Sequence, residues 1–131
     1  MVPVGKELGL PEVEQIKIGV VEDDHGVRES LQFLLEVAGH VVETFESAVD
    51  FLKSETKHLA YLILDHHMPH MTGLELAERL RADGSDIPIL LITALPSPII
   101  LARAADLGIV GVLEKPLDEV DLLDFVNVQR S

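Results

Sequence analysis

The chain has no cysteine, which excludes disulfide staples and thiolate chemistry. No apolar run approaches the roughly 18 residues that a membrane-spanning helix needs. The N-terminus lacks the basic-then-apolar pattern of a signal peptide, so the cytoplasm is the expected location. Basic residues are scarce: 10 Lys and Arg stand against 23 Asp and Glu, leaving a formal charge of −13. Like charges repel, so direct binding to nucleic acid or to an anionic membrane is not expected of this domain. Internal repeats and low-complexity linkers are missing too. What is present is 131 residues, 47% hydrophobic and 25% charged, enough for one domain with a core of its own.

Residues 1–15 mix Pro, Gly and Glu without a clear period and read as a flexible leader to a domain over 16–129. Ile16–Val21 has the β-branched character of a strand, which Glu22, Asp23 and Asp24 end. Val27, Leu31, Leu34, Leu35 and Ala38 then recur at helical spacing, with Gly39 as a stop. Val41–Phe45 reads as a second strand and Ser47–Thr56 as a helix. Ala60 to Leu64 is an apolar run that ends in Asp65, with turn signals at Pro69 and Gly73. Leu74, Leu76, Ala77 and Leu80 predict another helix, closed by Asp83-Gly84. Ile87–Ile92 is the expected fourth strand, Ser97-Pro98 opens a helix to about Leu107, Ile109–Leu113 is the fifth strand, and a last helix runs from Asp118 to about Val128. Five alternations of strand and helix predict an α/β fold: a doubly wound, five-stranded parallel sheet in the flavodoxin-like order 2-1-3-4-5, with helices on both faces.

In such a sheet the carboxyl ends of the strands share one edge, where ligands bind. Glu22, Asp23 and Asp24 arrive there from the first strand, Asp65 from the third, Thr93 from the fourth, and Lys115 followed by Pro116 from the fifth. Clustered carboxylates raise each other's pKa unless a cation neutralises them. An oxygen-only donor set at an open mouth fits Mg²⁺, which keeps several waters and favours partners that bring phosphate oxygens. A lysine and a hydroxyl beside it make a phosphoryl-handling site with an aspartate as acceptor. Read in isolation, Asp65 also fits a plain turn starter, Asp24 a helix-start residue, Arg28 a surface residue or ion pair, and Met68 and Met71 packing residues.

The residues Val21-Glu22-Asp23-Asp24 with Arg28, Asp65 with Met68-Pro69 and Gly73, Thr93-Ala94, and Lys115-Pro116 resemble a response-regulator receiver domain of bacterial two-component signalling. The resemblance spans residues 16 to about 128. It implies that Asp65 takes a phosphoryl group from the phosphohistidine of a sensor histidine kinase or phosphotransfer protein. It further implies Mg²⁺ held by Asp23 directly, by Glu22 through water, by Asp65 and by the main-chain carbonyl of His67. Thr93 matches the switch hydroxyl, Ala94 the small residue that leaves the site accessible, and Lys115 the phosphate-contacting lysine. Its bond to Pro116 is expected to be cis.

Two departures stand out. Receivers usually carry Tyr or Phe three residues before the lysine, and here that position is Val112, which has no ring to swing inward. The last helix carries Asp118, Glu119, Asp121 and Asp124 with no basic residue before Arg130, so a homodimer held by mixed charges through it is not expected. Ile99, Ile100 and Leu101 offer an apolar alternative, although three consecutive residues cannot all face one way. His66, His67 and His70, with His25 expected near by, are read as variable-loop residues rather than a transition-metal site, since adjacent His66 and His67 should point apart. His67 and Leu95 flank the path of attacking water and so bear on phosphate lifetime.

The leading expectation is therefore a phosphoacceptor that switches the binding of a downstream target, not an enzyme beyond self-catalysed phosphotransfer and dephosphorylation. The alternatives are a pseudo-receiver that acts as an unphosphorylated interaction module, and an aspartyl-phosphate phosphatase. The phosphatase of haloacid-dehalogenase type needs an acid two residues after its nucleophile, where this chain has His67. About three residues remain after the last predicted helix, so no output domain is expected within this sequence.

Overall fold

The computed structural model describes residues 16–54 and 58–130. The expected leader over residues 1–15 lies outside them. Among the described residues five strands alternate with five helices: β1 (Lys17–Val21), α1 (His25–Val37), β2 (Val41–Phe45), α2 (Ala48–Lys53), β3 (Tyr61–Asp65), α3 (Gly73–Ala82), β4 (Ile89–Thr93), α4 (Pro98–Asp106), β5 (Gly111–Glu114) and α5 (Glu119–Arg130). All neighbouring strands pair in parallel, in the order β2-β1-β3-β4-β5. The doubly wound sheet expected from the alternation is the one that forms.

Alternate residues of the central strands feed two separate cores. Leu62 and Leu64 of β3 join Val21, Ile89 and Leu91 beneath α2, α3 and α4. Tyr61 and Ile63 join Ile18, Val20, Leu90 and Ile92 beneath α1 and α5, through Leu31, Leu35, Leu122 and Val126. Covered on both faces, these strands read as unbroken apolar runs rather than as alternating patterns. Each of these five helices starts on a hydroxyl or carboxylate cap: Asp24 accepts from the Val27 N–H, Ser47 from Asp50, Thr72 from Glu75 in a full capping box, Ser97 from Ile100, and Asp118 from Val120 and Asp121. Asp24 is thus the helix-start residue expected of it.

Several boundaries move. The fourth strand begins two residues after the expected Ile87, because Pro88 has no N–H to give; its carbonyl accepts from Leu62 instead, and the ladder runs on through Thr93. The fifth starts at Gly111 rather than Ile109, whose N–H is spent on the Ala104 carbonyl at the end of α4. The helix expected over Ser47–Thr56 stops at Lys53, and Ser54 turns back to donate to the Phe51 carbonyl.

Tyr61 is wholly buried, its hydroxyl makes no hydrogen bond among the described residues, and burial pushes its phenol well above the usual range. An unsatisfied buried polar group is a net cost. Tyr61→Phe is therefore expected to leave stability unchanged or raise it by about 1 kcal/mol, read from the urea midpoint.

Candidate functional site

β1 and β3 are adjacent and in register, so the residues that follow their last apolar positions meet at one edge. Glu22 leaves β1 fully buried, and Asp65 ends β3 with 1% of its surface exposed. Asp23 lies beside them, open to solvent. One carboxylate oxygen from each of Glu22, Asp23 and Asp65 falls within 4.8 Å of the others. Lys115 reaches in from the end of β5, with Nζ 2.7 Å from Glu22 Oε1 and 3.2 Å from Asp65 Oδ1. The Glu22 contact is a formed hydrogen bond. The approach to Asp65 is a charge contact, which leaves Oδ1 buried and without a hydrogen bond among the described residues. The Lys115–Pro116 peptide bond is cis.

The backbone holds this edge in place from below. Arg28, on the first turn of α1, donates from Nη1 to the Glu22 carbonyl at 2.8 Å and to the Asp23 carbonyl at 3.3 Å. It is more than the surface residue or ion pair expected: its side chain is 11% exposed, and a 3.7 Å contact with Glu46 comes in addition to the carbonyls. After β3, the His66 N–H donates to the Ile92 carbonyl, and the His66 carbonyl accepts from Met68 and Gly73. Met68 is buried in the core, which anchors the loop as a packing residue should. Gly73 passes so close to Asp65 that a Cβ there would sit 2.5 Å from the Asp65 carbonyl oxygen.

Three carboxylates facing one ammonium cannot all ionise freely in a desolvated place. Burial first, then contact with Asp65, pushes the Glu22 carboxyl up to about 8, against the pull of Lys115. Burial works against the charge of Lys115, yet its bond to Glu22 and the charges of Glu22 and Asp65 outweigh this and hold its pKa above the ordinary value. A group raised in the folded state contributes stability that is whole below its unfolded value, here near 4.5, and is lost as pH climbs through about 8. In EDTA the urea midpoint is thus expected to fall between pH 5 and pH 9. Saturating Mg²⁺ or Glu22→Gln should flatten that fall; an equal slope in Glu22→Gln would assign it to another group.

The donor set fits a hard divalent cation: carboxylate oxygens only, one of them buried without a hydrogen bond, at a mouth opened by Asp23. Thr93 ends β4 fully buried, and Ala94 beyond it is exposed. Val112 pairs with Leu91 and packs half-buried against the core under α3 and α4.

The histidines divide differently from expectation. His25 pairs with Glu29 and contacts Arg28 on the surface of α1. The rings of His66 and His67 do not point apart but meet edge to face, with centroids 5.0 Å apart and planes at 71°. The chain turns tightly after His66, whose carbonyl accepts from both Met68 and Gly73, and so the neighbouring rings are in contact. Burial, then the neighbouring His67, lowers the pKa of His66. His67 Nε2 lies 3.0 Å from Thr93 Oγ1, a contact between side chains 26 residues apart that no local spacing announces.

The family model of the response regulator receiver domain matches residues 18–127. The chain belongs to this receiver family. Among curated relatives, the transcriptional regulatory protein FixJ of Azorhizobium caulinodans is 34% identical over 111 residues, 84% of this chain and 53% of FixJ. TdiR of Thauera aromatica, also a transcriptional regulatory protein, is 38% identical over 109 residues, 82% of this chain and 48% of its own length. This receiver chain thus spans about half the length of the curated relatives it matches. The chemotaxis protein CheY4 of Vibrio cholerae superposes with a TM-score of 0.80 at 28% identity, covering 88% of this chain and 98% of that one. Among the described residues, no helix is long and apolar enough to cross a membrane.

Proposed function

We propose that this receiver accepts a phosphoryl group on Asp65 in a Mg²⁺-dependent reaction and switches partner binding as a result. The observation that carries the reading is the place of Asp65: at the carboxyl end of β3, with one buried oxygen unbonded, Lys115 3.2 Å away and the carboxylates of Glu22 and Asp23 within 4.8 Å. Asp23, Asp65 and the main-chain carbonyl of His67 would hold the cation directly, and Glu22, tied to Lys115, through water. When bound, it offsets the charge that gathers on the phosphoryl oxygens in the transition state.

The remaining chemistry belongs to the chain. An ionised Asp65 oxygen attacks the phosphorus of a donor phosphohistidine; a P–O bond forms, the P–N bond breaks, and the imidazole leaves with the electron pair and takes up a proton. Lys115 Nζ stands where it can release Asp65 to covalency and pair with a phosphoryl oxygen. The Thr93 hydroxyl can donate to another, and exposed Ala94 leaves room for the group. A donor protein, a sensor histidine kinase or phosphotransfer protein, presents the phosphohistidine, and a downstream protein reads the result. Leu95 (72% exposed), in the loop before α4, and Ile99 (81%) and Leu101 (50%), on it, offer exposed apolar side chains to that partner or to a second copy. The formal charge of −13 argues against nucleic acid as the direct partner.

The test is incubation with Mg²⁺ and acetyl phosphate followed by intact mass. A gain of one phosphoryl group that EDTA prevents supports the reading. No gain at saturating donor would leave an unmodified interaction module.

A further inference from the structure

The hydroxyl of Thr93 is already engaged. Its oxygen accepts from the Leu95 N–H at 3.2 Å and lies 3.0 Å from His67 Nε2. A hydroxyl has one proton and two lone pairs. With one lone pair on Leu95, either the proton goes to an unprotonated Nε2 or the second lone pair takes an Nε2–H. In the first arrangement, the Nδ1–H tautomer of the ring, the proton is spent on Nε2 and is not free for a phosphoryl oxygen on Asp65; in the second the ring is the donor and the proton stays free, so the latch is the first. Thr93 is fully buried while His67 lies on the exposed loop, so the ring closes over the hydroxyl from the solvent side. The ring is itself backed by His66, whose main chain is pinned to β4 and to the start of α3. On the other side of Thr93, β5 offers no ring: Val112 is branched, short and packed into the core.

We propose that His67 is a positioning residue that latches the Thr93 hydroxyl in the unphosphorylated state and is released when the phosphoryl group arrives, so that the loop from β3 to α3, rather than β5, reports phosphorylation. The proposal rests on the phosphoacceptor reading above. Its physical basis is competition for one proton: the Thr93 hydroxyl cannot donate to the unprotonated Nε2 of His67 and to a phosphoryl oxygen at once. Breaking the latch must therefore favour the phosphoryl-bound state, and occupying Asp65 must move the His67 ring.

Beryllofluoride, a stable mimic of the phosphoryl group, is the probe, added with Mg²⁺ to ¹⁵N-labelled full chain. The His67 imidazole nitrogens are expected to shift on addition, and the Thr93→Val variant should abolish that shift. His67→Phe keeps a ring but removes the nitrogen, and it should tighten beryllofluoride binding by about 2- to 10-fold, the factor that one hydrogen bond of ordinary net strength makes. In the Thr93→Val background the same substitution should change nothing further. Two results would overturn the latch alone: a His67 signal that stays still while the Asp65 amide moves, or an equal effect of His67→Phe in both backgrounds. No response at Asp65, together with no labelling by acetyl phosphate, would overturn the phosphoacceptor reading and the latch with it.

Discussion

Asp65→Asn is expected to take up no phosphoryl group from acetyl phosphate under conditions that label the parent fully, while its urea midpoint in EDTA stays level or rises. The first half follows from valence. An amide has no anionic oxygen to attack phosphorus, and neither Glu22, buried and tied to Lys115, nor Asp23, on the open side, stands at the end of β3. The second half follows from charge. Removing one of three crowded carboxylates relieves repulsion, and Lys115 keeps its stronger partner, Glu22 at 2.7 Å, so no ammonium is stranded. Asparagine has the same shape and fits the same space. Mass spectrometry and unfolding on one preparation check both halves. Normal labelling of the variant would move the acceptor elsewhere in the acidic cluster, and a collapsed midpoint would mean that the ion pair with Asp65 holds the edge together.

The second large effect is structural and lies across the loop. Gly73→Ala would place a methyl 2.5 Å from the Asp65 carbonyl oxygen, 3.0 Å from its carbonyl carbon and 2.8 Å from a methyl of Leu91. The leucine could turn away; the carbonyl could not, because it belongs to the end of β3. The strain must push α3 outward or bend β3 at its last residue. A loss of about 1–3 kcal/mol, the usual cost of overpacking, is expected from urea unfolding. Labelling of Asp65 should slow as well, since the acceptor itself is displaced. An alanine variant that unfolds and labels like the parent would show that α3 can retreat at no cost. The difference between these variants is instructive: Asp65→Asn removes chemistry and spares the fold, whereas Gly73→Ala reaches the chemistry through the fold.

Much of this was legible along the chain. The apolar runs before Glu22, Asp65 and Thr93, separated by helical periods and capped by Asp24, Ser47, Thr72 and Ser97, are local signals. Local signals suffice to place elements, and parallel topology then puts their carboxyl ends at one edge. Boundaries were less legible, because a strand ends where its neighbour stops pairing, as Pro88 and Ile109 illustrate.

The residue types at the strand ends, by themselves, determined the acidic cluster, the lysine and the hydroxyl, since backbone direction alone brings strand ends together. Side-chain reach between elements was decided only by the tertiary structure. Arg28 turns inward to two carbonyls, Arg81 links α3 to the carbonyls of Ser85, Ile87 and Leu107, and His67 folds back onto Thr93. Each depends on the angle at which one packed element meets another. That angle is set by all the side chains between them, not by the spacing of the residues that finally touch.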